Sequence, residues 1–177
     1  MTPFDPRSYP PAIAALWTDR LPELGPGRPN ESARAALAAL TPETIVPELR
    51  DREAALGCLS GLWLLHDFLD ESHRISQDLH TWYGSYWHAI MHRRDPDADN
   101  AKYWFRRVDA NPVFNALAAD AAELGLPVHG GWDPFVFVDR CEIERGSGSD
   151  FELLCRRGQL REMQLLLDWC YRTACGR

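Results

Sequence analysis

Five of the six histidines lie between residues 66 and 92: His66, His73, His80, His88 and His92. Imidazole titrates near cellular pH and its neutral form is a good ligand for zinc, iron and copper, so a run of this kind points to metal binding or proton transfer. His88 and His92 in WHAIMH are spaced i, i+4 and share one side of a helix. The glutamate that follows the first histidine in zinc-protease helices is absent here. His66, Asp70, His73 and Gln77 recur at i, i+4, i+7, i+11. At about 100° per residue these four form one polar stripe, as on a helix that lines a cavity. Glu71 lies nearer the edge of that face. Four of the seven tryptophans, Trp63, Trp82, Trp87 and Trp104, accompany the histidines.

The chemistry expected of such a pocket falls into two classes. His66, His73, His88 and His92, with a nearby carboxylate, offer a ligand set for Zn, Fe or Mn and hence hydrolytic or oxygen-dependent chemistry. Without a metal, His73 with Asp70 or Glu71 has the groups for acid–base catalysis of a lyase or isomerase type. The only lysine, Lys102, is spaced i, i+4 from Arg106. This pair is a natural clamp for a phosphate or carboxylate, so the expected substrate is a small anionic molecule, with Trp87 and Tyr83 as aromatic walls. Two quieter readings use the same residues. In one, the pocket grips a metabolite without catalysis. In the other, the domain is an interaction module, the polar stripe is a solvated helix end, and the charges of residues 95–107 only complement a helix dipole.

The elements that must position these groups are helical. Expected helices cover 8–20, 30–40 with Asn30 as cap, a long segment 46–79 bent near Gly57 or Gly61, 81–93, and 99 or 100 to 107. Others cover 111–125, 135–139, 150–156 and 159–173. Residues 127–134 (PVHGGWDP) hold His129 and read either as a loop in which Trp132 and Asp133 form a lid or as a turn between helices. The expected fold is all-α: one domain over 1–177, an irregular bundle of about six to eight helices, with 1–29 a proline-rich lead packed on it. At 177 residues the chain is long enough to bury a core.

Charge narrows the partners. There are 19 basic against 26 acidic residues, a balance of −7. A net-acidic chain is a poor nucleic-acid or anionic-membrane binder. The five cysteines form no CxxC pair, residues 1–11 carry no apolar signal region, and no apolar run approaches a membrane span. These features place the protein in the cytoplasm as an expectation.

Overall fold

The computed structural model describes residues 4–18, 20–128 and 130–177. Among these residues a 3-10 turn, Pro6–Ser8, precedes ten α-helices. They are α1 Pro11–Ala14, α2 Glu31–Ala38, α3 Pro42–Ile45, α4 Arg52–Leu65, α5 Leu69–Ser76, α6 Trp82–Arg94, α7 Ala98–Phe105, α8 Pro112–Leu124, α9 Pro134–Glu144 and α10 Asp150–Ala174. No strand occurs among the described residues. The longest helix, α10, lies along α4 and α8 and also touches α9, while α6 sits among α4, α5 and α7. None of these helices is long and apolar enough to cross a membrane.

Helix starts follow local chemistry. Asp51, Thr81, Asp97, Asn111, Asp133 and Ser149 each accept a first-turn amide with their side chains. These contacts satisfy donors that the helix itself leaves orphaned. α8 ends on Gly125, whose φ of 84° suits the left-handed cap. Asp133 followed by Pro134 is a cap and a first helical position, which is why FVFVD belongs to α9. The cap of α7 is Asp97, two residues before the expected start. Among the described residues of 8–20, the only helix that begins and ends there is the short α1. Residues 150–174 form one helix, and Gly158 within it is a packing site: a Cβ there would come within 2.5 Å of Leu126 Cδ1.

The main departure is in the long segment 46–79, which is two helices. Asp67 adopts a φ of 65° between α4 and α5. Aspartate tolerates this left-handed conformation better than most side chains. The chain reverses there, and α5 folds back on α4, so that Ser60 Oγ donates to the Ser72 carbonyl oxygen at 3.1 Å. The Asp67 carboxylate is buried and receives Arg94 Nη2 at 2.5 Å together with Arg20. Arg94 also donates to the carbonyl oxygens of Leu64 (2.6 Å), Glu23 (3.1 Å) and Gly25 (3.2 Å). One buried guanidinium thus joins the reversal to residues 23–25 of the proline-rich lead. Arg93 beside it is also buried, donating to Glu162 (2.5 Å) and lying over the Phe137 ring. Tyr86 completes this contact by donating to Glu162 at 3.0 Å.

The separation of α4 and α6 is set by Gly61. A Cβ at that position would lie 2.5 Å from the buried Trp87 ring. Alanine normally favours a helix over glycine. Gly61→Ala should nevertheless destabilise the protein by about 1–3 kcal/mol, because the indole has nowhere to move. A urea unfolding midpoint that is unchanged or raised would mean that the two helices are not in this contact.

Candidate metal centre

His88 and His92 lie one turn apart on α6, and the α5 hairpin brings His73 over them. The metal-ligating atoms of His73, His88 and His92 all lie within 4.8 Å of one another. His88 Nε2 and His92 Nε2 are 2.9 Å apart. Two nitrogens bound to one ion at about 2.0–2.1 Å lie roughly 3 Å apart, so this pair already has the spacing of cis ligands. The rings of His73 and His88 meet edge to face at 4.7 Å between centroids, and those of His73 and His92 at 5.5 Å. His73 is half-buried and closes the group on its outer side.

α7 supplies the opposite wall. Trp104 stacks on His88 at 4.1 Å. One turn earlier, Asn100 places its amide 3.1 Å from His92 Nε2. His92 Nε2 therefore faces two nitrogens at once. A neutral ring nitrogen carries either one proton or one lone pair, so both contacts cannot be good hydrogen bonds. A cation held by His88 Nε2 and His92 Nε2 would replace the contact between these two nitrogens.

Burial, with the neighbouring rings of His92 and His73, pulls His88 down to about 3, and the Ser76 backbone opposes this weakly. Burial and His73 also lower His92, while Asp97 and Asp95 raise it. Both imidazoles are thereby neutral at pH 7 with lone pairs available, as metal ligation requires. The same shifts predict acid sensitivity of the metal-free fold. The unfolded chain takes up a proton at His88 as pH falls below the ordinary value of 6.5, and the folded chain does not until about 3. Stability is thus complete above that ordinary value and is lost on the way down to the folded one. Between pH 7 and pH 5 the loss at His88 should reach roughly 2 kcal/mol, with His92 adding in the same direction. Chemical unfolding in the presence of a chelator should show this slope, and His88→Phe should flatten it. An equal slope in that variant would assign the effect elsewhere.

The remaining candidates are placed differently. His66 stands apart from the three, because the reversal at Asp67 takes His73 off its face. Its Nε2 donates to the Leu16 carbonyl oxygen at 2.6 Å, and its Nδ1 contacts the Asn30 amide at 3.0 Å. Both ring nitrogens are thus used to tie α4 to the N-terminal segments. Asn30 is spent on this contact and does not cap α2 with its side chain. Asp70 is exposed, one turn before His73. Glu71 accepts from Arg34 at 2.6 Å. No carboxylate among the described residues joins the three-histidine group. Tyr83 packs on Trp169 and Trp87 on Gly61, both in the core on the α4 and α10 side. Lys102 pairs with Asp139 of α9, and Arg106 is exposed. Both lie on the side of α7 turned from Asn100 and Trp104, so they form no anion clamp beside the imidazoles. His80 is exposed beyond α5, and His129 lies outside the described residues. Asn100 and Trp104, one turn apart, complete the wall. The sequence reading gave Asn100 only a capping role, and gave Trp104 a packing role or a place stacked against a bound metabolite.

No protein-family model matches the chain, and neither a curated protein nor a solved structure is significantly similar to it.

Proposed function

We propose that the protein is a small-molecule enzyme built on a three-histidine centre for a divalent transition metal. The convergence of His73, His88 and His92 within 4.8 Å carries this reading. An all-imidazole set without a carboxylate favours Zn over Mn, with Fe between them. Three protein ligands leave a coordination position open, as in catalytic zinc sites. The ion would supply Lewis acidity and lower the pKa of a bound water to about 7.

The chain's own groups do the rest. Trp104 covers the His88 face and keeps water from it. Asn100 is within reach of the open side, where it would orient a water or a substrate oxygen. Three neutral imidazoles leave the charge of the ion uncompensated, so the centre itself would attract a small anionic substrate. Lys102 and Arg106 are not needed for that attraction. The reaction class this supports best is hydrolysis of a phosphate or carboxylate ester.

The test is metal analysis of protein purified without a histidine tag, followed by stripping and restoring the metal. The expected result is one zinc per chain, with hydrolysis of a phosphate- and carboxylate-ester panel following the metal. Stoichiometric binding without turnover would favour a non-catalytic metabolite-binding protein. Failure of Zn(II), Fe(II) and Mn(II) to bind saturably would overturn the reading.

A further inference from the structure

A cavity separate from His73, His88 and His92 lies between the start of α9, the start of α10 and the loop that leads into α9. Its volume is about 190 Å³. Leu126, Val128, Trp132, Phe137 and Phe151 form an apolar wall, and Arg140 and Asp133 are the charged groups lining it. Trp132 and Phe137 meet at 4.6 Å between centroids, making one side a continuous aromatic surface. Apolar space of this size is large for an unfilled gap in a close-packed protein, and cavities of about 150 Å³ are known to take up benzene.

The two charges differ in what they have left to offer. Asp133 is committed to α9, accepting the amides of Phe135 (2.8 Å) and Val136 (3.2 Å). Arg140 lies over the Phe151 ring at 4.8 Å and meets Glu144 only at 3.6 Å. The other oxygen of Glu144 takes the Ser149 hydroxyl at 2.8 Å. Arg140 is therefore held in place by an aromatic face while most of its five N–H donors have no close partner among the described residues. The indole N–H of Trp132 is buried and has no acceptor among the described residues.

We propose that this cavity binds a small aromatic carboxylate. The ring sits among Leu126, Val128, Trp132, Phe137 and Phe151, and the carboxylate pairs with the Arg140 guanidinium. A molecule of about ten non-hydrogen atoms fills the space. The site is independent of the metal centre and stands or falls without it.

Phenylacetate and its neutral isostere phenylacetamide serve as probes, with binding read by calorimetry and tryptophan fluorescence on the full chain. Phenylacetate should bind saturably and at least tenfold more tightly than phenylacetamide. Arg140→Leu should remove that preference while keeping phenylacetamide binding, and Val128→Trp, which fills the cavity, should abolish both. Equal affinity of the two probes for the unaltered protein would overturn the carboxylate assignment. Failure of both to bind at millimolar concentration, with circular dichroism unchanged, would overturn the site.

Discussion

Replacing His73, His88 or His92 by alanine should remove zinc binding if the three form the proposed centre, and replacing His66 should leave it intact. This contrast has the largest expected effect on function. Loss of a group that merely supports a metal ligand already lowers affinity about 10–100-fold, so loss of a ligand itself should exceed about 100-fold. Zinc at a hundred times its dissociation constant stabilises a folded site by about 2.7 kcal/mol. For a domain of this size that raises the thermal midpoint by about 5–10 °C. The shift should vanish in each of the three variants. His73→Ala is the most informative, because this half-buried side chain sits on the outer wall and its loss leaves the α6 core in place. His66→Ala should keep the zinc-dependent shift and lose stability instead, since both of its ring nitrogens hold other segments. Zinc shifts that persist in His73→Ala and disappear in His66→Ala would invert the assignment. Calorimetric titration of the chelator-treated proteins separates the two cases directly.

The part of this site that sequence reading captures is the part that lies within one helix. His88 and His92 are i, i+4 on α6, so periodicity alone places them together. His73 joins them through a reversal that periodicity cannot foresee. On an unbroken helix over 46–79, His66 and His73 share a face, and the same arithmetic that groups them conceals the turn at Asp67. Nothing local marks that turn as a break: there is no glycine or proline in HDFLD, and Asp67 holds its positive φ with the help of Arg94 and Arg20, both distant in sequence. Arg93 and Arg94 have a ready local explanation as cations at a helix C-terminus. Their burial depends on Glu162 and Asp67, which no spacing rule connects to them. Lys102 and Arg106 are a correct i, i+4 pair that faces away from the histidines, because helical spacing fixes which residues share a side and not where that side points. The all-helical class was readable because it rests on caps and periodicity summed over many segments.

Asp67 is where the fold and the site depend on the same residue, and Asp67→Ala should be the most destabilising single change outside the hydrophobic core. Removing the carboxylate leaves Arg94 as a buried cation with only carbonyl oxygens for partners. Breaking a buried pair by deleting one partner costs about 3–5 kcal/mol. Alanine also tolerates the left-handed backbone at this position poorly, which adds about 1 kcal/mol. A substitution series separates the two contributions. Asp67→Gly relieves the backbone and lacks the charge, and Asp67→Asn largely keeps the backbone tolerance and one acceptor. Both should fall between the native protein and alanine, with Asn the closer to native. Because the reversal carries α5 back onto α4, partial loss of the turn displaces His73 first. Zinc affinity should therefore fall in the order native, Asn, Gly, Ala, although Asp67 touches none of the three ligands. Urea unfolding and zinc titration on the same four proteins measure both quantities. A loss below about 1 kcal/mol in Asp67→Ala, with unchanged zinc affinity, would show that the hairpin stands without this ion pair and that His73 is held by α5 packing alone.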